Sequence, residues 1–290
     1  MTDNDGATAA KVDVLFILAH PDDESFGFGG LMAWAQSQHL RVGLVCATRG
    51  EAGDISHPSL GTPATLGAVR ERELRCAMGI VGVDPVRLLP YRDSGMQGTP
   101  GNDDPRSLAR ADREAVLADL VSQIRDLQPH AVITFGPDGV YGHPDHVRIG
   151  EIATEAVKVA ASSADPFLGG PWQTSRLYHM AVAREDLIEM SRRESGPFAD
   201  TPPEVIATMG IPRWEITHVF DVREFIDTKL RVLASHATQL PYQPEDGGIG
   251  DPAMRPRLGR ESLKRIQLPW PEDRETADVL DAFNTLPDPA

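Results

Sequence analysis

The segment Val12–Glu24 has the sequence VDVLFILAHPDDE, in which an apolar run leads directly into a cluster of titratable side chains. The apolar part predicts a buried β-strand over Val12–Ala19. His20, Asp22 and Asp23 follow where this strand ends. In open α/β sheets, ligands bind in the crevice outside the carboxyl ends of the strands. The segment therefore predicts a buried strand with a functional site at its end.

The tripeptide His-Pro-Asp occurs a second time, within the sequence YGHPDH of Tyr141–His146. A short loop separates this copy from another predicted strand, Ala131–Phe135. Because the carboxyl ends of parallel strands meet at one edge of a sheet, we expect the two copies to lie close together. Paired imidazole and carboxylate groups at such an edge are typical of a metal site.

Strands and helices alternate along the chain, which predicts βαβ units and a mostly parallel sheet with helices on both faces. The predicted strands are Val12–Ala19, Val42–Thr48, Val86–Pro90, Ala131–Phe135, Arg176–Val182 and Thr217–Phe220. The predicted helices are Gly30–Gln38, Gly67–Val81, Asp112–Leu127, Pro144–Ala161 and Val222–His236. The fold class is therefore α/β, with the active site at the C-terminal ends of the strands.

Three polar stretches interrupt this alternation. Gly50–Thr65 and Asp93–Asp104 are rich in Gly, Pro, Asp and Ser and follow strands, so they are expected to be lids or specificity loops at the crevice. Ser191–Trp214 is polar and contains prolines, which is typical of a flexible insertion. Beyond Pro241 the sequence is dominated by Pro and Gly, with one short helix predicted near Glu275–Phe283.

Composition limits the class of protein. The 290 residues are 41% hydrophobic and can bury a large core, and the net charge of −15 argues against nucleic acid or an anionic membrane as partner. Cys46 and Cys76 form no disulfide framework and are predicted to be buried thiols in a reducing compartment. Met1–Ala10 lacks the pattern of a secretory signal, and no run approaches the roughly 20 apolar residues of a membrane span. A cytoplasmic location is therefore expected.

The spacing of the two motifs suits a metal. His20 and Asp23 lie three residues apart on a turn that Pro21 stiffens, so both can face one point. Pro144 suits the first position of a helix, which would place His146 in the first turn. Two imidazoles and one carboxylate, with one position left for water, are the ligands of a catalytic zinc site. The same ligands also suit Fe(II).

The neighbouring side chains suit hydrolysis. Asp22 could act as general base on a metal-bound water, whose pKa the metal lowers to about 7. His143 could be the general acid, and Tyr141 could donate a hydrogen bond to the oxyanion. Asp145 could orient an imidazole from behind the ligands. A single His-Pro-Asp is commonly only a turn with an N-cap, but two copies after two strands favour the metal site.

Ala19–Glu24 together with Gly142–His146 resembles the LmbE/PIG-L family of zinc-dependent N-deacetylases. This family includes the N-acetylglucosaminyl-phosphatidylinositol deacetylase and the deacetylases and amidase of mycothiol and bacillithiol metabolism, and the resemblance is closer to the mycothiol-type members. Further matching residues are Thr48–Gly53, Arg70, Glu73, Asp93–Met96 and Ser235–Gln239. The resemblance spans residues 12–240 and leaves 241–290 uncovered.

The resemblance implies a Rossmann-like catalytic domain over residues 1–240, with 241–290 as a C-terminal extension packed on or near it. It implies metal ligands at His20, Asp23 and His146, catalytic groups at Asp22, His143 and Tyr141, and substrate contacts at Arg70, Asp93 and His236. The implied cofactor is Zn²⁺, with Fe²⁺ as the alternative.

The implied function is removal of the N-acetyl group from an N-acetylglucosamine-type sugar conjugate by attack of metal-bound water. One alternative is an amidase that cleaves a larger acyl group from a thiol-sugar conjugate. Another is a non-catalytic sugar-binding module, against which the intact motif residues argue. The expected partner is a small amino-sugar conjugate, and self-association into a homo-oligomer is left open.

Overall fold

The computed structural model describes residues 11–163, 168–192, 198, 201–240 and 255–271. It contains a seven-stranded sheet in the order β3-β2-β1-β4-β5-β7-β6. The strands are β1 (Val14–Leu18), β2 (Val42–Cys46), β3 (Val86–Leu88), β4 (Ala131–Phe135), β5 (Arg176–Met180), β6 (His218–Asp221) and β7 (Arg260–Ile266). Strands β1 to β5 run parallel, and β7 pairs antiparallel with both β5 and β6.

Helices lie in the connections between successive strands. They are α1 (Asp23–Ser37), α2 (Leu66–Ile80), α3 (Arg113–Leu127), α4 (Gly139–Gly142), α5 (Pro144–Ala160), α6 (Arg184–Ser191), α7 (Pro203–Ile206), α8 (Ile226–Ala234) and α9 (Arg255–Leu258). Because crossovers between parallel strands are right-handed, α1 and α2 lie on one face of the sheet and α3 and α5 on the other. Helix α3 packs against α5, and α1 packs against α8, which confirms a sheet covered on both faces.

The strand order reverses at β1, which pairs with β2 on one side and with β4 on the other. All residues of β1, β2 and β4 are buried. This explains their continuous apolar sequences, because a central parallel strand is covered on both faces. The crevice where the strand order reverses is where open α/β sheets bind ligands, and both His-Pro-Asp motifs follow strands at this point.

Strand β7 was missed by the sequence analysis. It lies within the predicted extension 241–290, yet its residues form an inner strand between β5 and β6. The sequence RESLKRI carries four charged residues and no run of β-branched side chains, so only pairing with two strands makes this segment extended. The division of the chain at residue 240 remains a prediction, and the predicted helix at Glu275–Phe283 lies outside the described residues.

Helix α1 begins at Asp23, seven residues before its predicted start at Gly30, and its glycines lie at positions of close contact. A Cβ on Gly30 would lie 2.5 Å from Cβ of Val222, and one on Gly29 would lie 3.2 Å from Cγ of Lys229. Glycine therefore allows α1 to approach the segment around α8.

The prediction that both cysteine thiols are buried is confirmed for Cys46 and wrong for Cys76, which is exposed on α2.

Two helical glycines give opposite predictions for stability. A Cβ on Gly150 of α5 would lie 2.5 Å from the backbone oxygen of Phe135 in β4, whereas a Cβ on Gly79 of α2 would meet nothing within 4 Å. We expect Gly150→Ala to lower the free energy of unfolding by about 1–3 kcal/mol, because helix and strand must separate. We expect Gly79→Ala to raise it by about 0.5–1 kcal/mol, because the unfolded chain loses conformational freedom.

Urea denaturation of both variants beside the unchanged protein measures the two effects. A Gly150→Ala variant as stable as the parent would contradict the close packing of α5 on β4.

Within the described residues, no helix has the length and apolar character needed to cross a membrane.

Candidate metal centre and active site

The two His-Pro-Asp motifs meet at the crevice between β1 and β4. The first occupies the turn between β1 and α1, and the second occupies the start of α5. Pro144 lies in the first turn of α5, and the side chain of His143 caps that helix by accepting a hydrogen bond from the Asp145 N–H, 3.2 Å. These local features direct His20 and His146 towards the same point, although 126 positions separate them in the sequence.

Three side chains form a compact triangle of possible ligand atoms. His20 Nδ1 lies 3.2 Å from His146 Nε2, and His146 Nε2 lies 3.2 Å from Asp23 Oδ1. His20 Nδ1 lies 3.8 Å from Asp23 Oδ2. Ligand atoms at 2.0–2.1 Å from a tetrahedral metal are separated by about 3.3 Å. The side chains of this triangle therefore fit a divalent cation, and all three are at least nine-tenths buried.

The groups behind the triangle assign the imidazole tautomers. His146 Nδ1 lies 3.2 Å from the Gly139 carbonyl oxygen and donates to it. His20 Nε2 lies 3.2 Å from Asp145 Oδ2, so that nitrogen carries the proton. Both remaining ring nitrogens then present lone pairs to the same point, as metal-binding histidines do. Asp23 Oδ2 accepts the N–H groups of Ala19 at 3.1 Å and His20 at 2.7 Å, which fixes its carboxylate.

Two further sets of three side chains share His20 and have mutually close ligand atoms. One set is His20, His143 and His146, and the other is His20, Asp93 and Asp145. In the second set the shared His20 nitrogen is Nε2, which lies 3.4 Å from Asp93 Oδ1 and has its proton directed at Asp145. A buried His/Asp group able to hold a metal is thus present at this crevice.

Asp22 lies beside the triangle in an unusual backbone conformation, with φ 113° and ψ −28°. Its Oδ2 lies 3.1 Å from a guanidinium nitrogen of Arg70. Burial raises the pKa of Asp22 to about 6, against the opposing effect of the Arg70 charge. For Asp23 burial acts in the same direction, but His146 and His20 outweigh it and lower the pKa. Two adjacent carboxyls thus have pKa values displaced in opposite directions, which is typical of an acid–base site.

His143 and Tyr141 face the same space. The His143 ring lies edge-on to His20 with 4.5 Å between centroids, and its Nε2 lies 3.9 Å from Asp93 Oδ1. Burial lowers the pKa of His143 to about 4, and the neighbouring His20 and His146 act in the same direction. The Tyr141 ring lies edge-on to His146 with 5.0 Å between centroids, and burial raises the pKa of its hydroxyl. Both side chains are therefore neutral near pH 7.

Arg70, Asp93 and His236, the predicted substrate contacts, are all buried. Arg70 donates to the carbonyl oxygens of Pro21 and, at 2.8 Å, Gly50. A Cβ on Gly50 would lie within 2.3 Å of the guanidinium, so this glycine makes room for it. Arg70 thus lies behind Asp22, and its role as a substrate contact remains a prediction.

Asp93 is held by the loops around it and lies at the crevice. Its Oδ1 accepts the Gly95 N–H at 2.8 Å, and its Oδ2 accepts the Ala52 N–H at 3.2 Å. Burial would raise the pKa of Asp93, but the contact with the adjacent His20 ring and the hydrogen bond from Gly95 outweigh burial and lower it. Asp93 thus lies near both His20 and His143 as a carboxylate.

His236 has no exposed surface and lies 2.7 Å from Glu24 Oε1 through its Nε2. Glu24 was not selected by the sequence analysis, although it stands next to Asp23 in the first motif. The feature of the sequence that could have identified Glu24 as a functional residue was its position in the motif. Its partner could not be found from the sequence, because 212 positions separate the two residues.

The predicted loop Gly50–Thr65 is tied to the segment Ser235–Gln239. Ser56 donates its N–H to the Thr238 carbonyl oxygen at 2.9 Å and its hydroxyl to the Ala237 carbonyl oxygen at 2.8 Å. Glu73 of α2 accepts the N–H of Thr238 at 2.9 Å. The loop is therefore fastened to the C-terminal side of the crevice in this conformation.

Residues 15–157 match the protein family described as "PIG-L: GlcNAc-PI de-N-acetylase". Among curated proteins, the chain is 37% identical over 272 residues to the 1D-myo-inositol 2-acetamido-2-deoxy-alpha-D-glucopyranoside deacetylase of Rhodococcus jostii strain RHA1, covering 88% of this chain and 91% of that protein. A protein of the same description from Kineococcus radiotolerans is also 37% identical, covering 90% of this chain and 75% of that protein.

Solved structures share the fold at lower identity. The N,N'-diacetylchitobiose deacetylase of Pyrococcus horikoshii superposes with a TM-score of 0.60 at 23% identity, covering 88% of this chain and 83% of that one. The fold alone does not define the reaction, because a 4-carboxy-2-hydroxymuconate hydratase from Pseudomonas putida KT2440 superposes with a TM-score of 0.58 at 20% identity, covering 90% and 99%.

Proposed function

This chain belongs to the PIG-L family of de-N-acetylases, and we propose that it removes the acetyl group from a small N-acetylglucosamine-type sugar conjugate by metal-dependent hydrolysis. The observation that carries the proposal is the juxtaposition of the ligand triangle with Asp22 at the sheet crevice. The curated relatives support the substrate class, since both are described as deacetylases of a glucosamine–inositol conjugate.

We assign His20, Asp23 and His146 as the residues that would hold the metal. A divalent cation there would lower the pKa of water and polarise the acetyl carbonyl. Zn²⁺ is the proposed metal because two imidazoles and a carboxylate are its usual catalytic ligands, with Fe²⁺ as the alternative. Asp145 supports this set by accepting from His20 Nε2 at 3.2 Å and from the Ser94 N–H at 2.8 Å.

The remaining side chains supply the proton transfers. Asp22 accepts a proton from the attacking water, and Arg70 keeps its carboxylate oriented at 3.1 Å. The Tyr141 hydroxyl donates a hydrogen bond to the oxygen of the acetyl carbonyl as charge develops there. The C–N bond then breaks, and the departing amine takes up one proton, giving acetate and the free amino sugar.

The geometry of His143 refines the role predicted for it. Its Nδ1 accepts the Asp145 N–H, so the neutral ring carries its proton on Nε2, on the side of Asp93. A neutral imidazole in this tautomer donates a hydrogen bond to developing negative charge, and it delivers a proton to the amine only if it first receives one. We propose that the proton taken up by Asp22 is the one that is transferred to the departing amine. His143 lies close to this transfer and donates a hydrogen bond from Nε2.

A cytoplasmic location is proposed from the composition, in which two cysteines form no disulfide. A small amino-sugar conjugate is the proposed partner, and self-association remains a prediction.

Acetate release from a panel of N-acetylglucosamine conjugates tests the proposed function. The panel includes the inositol and malate glycosides and chitobiose, and the metal-free protein is reloaded with Zn²⁺ or Fe²⁺. We expect metal-dependent acetate release from at least one conjugate. Release of a larger acyl group, measured on matched amides, would favour the amidase instead. Sugar binding by metal-loaded protein without hydrolysis of any substrate would favour a binding module.

A further inference from the structure

The backbone at Asp22 is held in a conformation that aspartate seldom adopts. Its φ of 113° lies in the left-handed half of conformational space, where a side chain is costly by about 1–3 kcal/mol. The carbonyl oxygen of Asp22 accepts the N–H groups of Ser25 and Phe26, each at 2.9 Å, at the start of α1. This backbone conformation determines the direction of the Asp22 carboxylate. The contacts that hold the backbone of Asp22 therefore also hold the proposed general base.

Glu24 supplies one of these restraints. Its Oε2 accepts the N–H of Asp22 at 2.9 Å, across two positions of the chain. Its other oxygen, Oε1, accepts the hydroxyl of Ser25 at 2.5 Å. Glu24 and Ser25 have no exposed surface. A carboxylate buried in this way needs several donors to compensate for its lost hydration.

His236 supplies the remaining donor to Glu24. Its Nε2 lies 2.7 Å from Glu24 Oε1 and 3.0 Å from the Ser25 hydroxyl. The ring is completely buried, and its Nδ1 has no hydrogen-bond partner within the described part of the chain. The neutral tautomer with the proton on Nε2 satisfies Glu24 and leaves only a bare lone pair on Nδ1, which costs less than an unpaired N–H. Among the described residues, Glu24 and Ser25 are therefore the hydrogen-bond partners of the ring.

The segment that carries His236 is itself fixed. Thr238 donates its N–H and its hydroxyl to Glu73 of α2, at 2.9 and 2.6 Å. Gln239 donates to the Asp54 carbonyl oxygen at 2.9 Å. His236 thus reaches Glu24 from a fixed segment, and its ring is fully buried against the first turn of α1.

We propose that Glu24 and His236 are positioning residues that hold the Asp22 carboxylate in its working orientation through the Asp22 N–H. The inference rests on the proposed function, since it gives Asp22 the role of general base. It assigns to His236 a role other than the substrate contact that the family resemblance implies. His236 then contributes to catalysis through Asp22 and not by contact with the substrate.

A second buried pair provides a matched control. Lys229 Nζ lies 2.7 Å from Glu261 Oε1, and the Glu261 carboxylate accepts the N–H groups of Gly30 and Leu31 at 2.8 and 2.7 Å. Like Glu24–His236, this pair joins α1 to the C-terminal part of the chain and is almost fully buried. It contacts α1 about two turns beyond Asp22, so it can affect stability without orienting the carboxylate.

Steady-state kinetics of His236→Leu and His236→Gln on the zinc-loaded protein test the inference. We expect His236→Leu to lower kcat about 10–100-fold with KM and metal content unchanged, because the base is displaced and the ligands are not. His236→Gln keeps a donor at a similar reach and is expected to recover kcat to within about fivefold. The double variant Lys229→Met with Glu261→Gln is expected to change Tm but to keep kcat within about twofold.

A double-mutant cycle with Asp22→Asn separates positioning from general damage. If His236 acts through Asp22, then His236→Leu lowers the residual kcat of Asp22→Asn by less than about twofold. Equal fold losses in both backgrounds, or loss of metal in His236→Leu, would overturn the inference. Should His236→Leu fail to fold, Glu24→Gln takes its place in the cycle. An unchanged protein that releases no acetate would refute the proposed function instead, so the two failures are distinct.

Discussion

Replacement of Asp22 by asparagine is expected to lower kcat by about 10²–10⁴-fold while the metal content stays unchanged. Asparagine has the same shape and keeps an oxygen for the Arg70 guanidinium, which lies 3.1 Å from the carboxylate. It cannot accept a proton from water, and loss of a general base typically costs this much. Since Asp22 is not one of the proposed ligands, the metal should remain bound.

The measurement is kcat and KM for acetate release, together with metal stoichiometry by elemental analysis. Asp126→Asn is the control, because it makes the same chemical change in a half-exposed carboxylate that pairs with Arg87 on the surface of the fold. The control should keep kcat within about twofold. An Asp22→Asn enzyme with near-normal turnover would refute the assignment of the base.

Replacement of His146 by alanine is expected to abolish stoichiometric metal binding and, with it, acetate release. His146 Nε2 lies 3.2 Å from both His20 Nδ1 and Asp23 Oδ1, so its removal leaves only two of the three ligands. A catalytic zinc site uses three protein ligands, and two rarely suffice for tight binding. Added Zn²⁺ stabilises a protein that binds it in the native state, and this stabilisation should disappear in the variant.

Elemental analysis after dialysis and the shift of Tm with added Zn²⁺ measure the two effects. His130→Ala is the matched control, since His130 precedes β4 at the opposite edge of the sheet from the crevice. It should keep one metal per chain. If His146→Ala also kept a full complement of metal, the ligands would have to be sought in the set His20, Asp93 and Asp145.

Prediction from the sequence succeeded where a local pattern has one structural solution. The apolar runs of β1, β2 and β4 predict strands and the period of apolar residues in α3 predicts a helix, and these elements agree with prediction within two residues. It failed where a neighbour distant in sequence decides the conformation. The polar strand β7 becomes extended because it pairs with β5 and β6, and the first seven residues of α1 were not predicted to be helical.

The same distinction applies to the site. The spacing of His20 and Asp23, and the proline before His146, were enough to predict which side chains come together. The burial of Arg70, Asp93 and His236 was not predictable, because it depends on loops and on the segment Ser235–Gln239 folding over α1 and α2.

The sequence by itself therefore determined the α/β class, the crevice and the chemical identity of the groups in it, since strand burial and spacing within a turn are local properties. Only the tertiary structure decided which buried residues contact and support those groups. The contacts of Glu24 with His236 and of Gly30 with Glu261 join residues 212 and 231 positions apart. Such contacts form only when buried polar groups must find partners in a packed interior, and no local pattern in the sequence specifies which partner that will be.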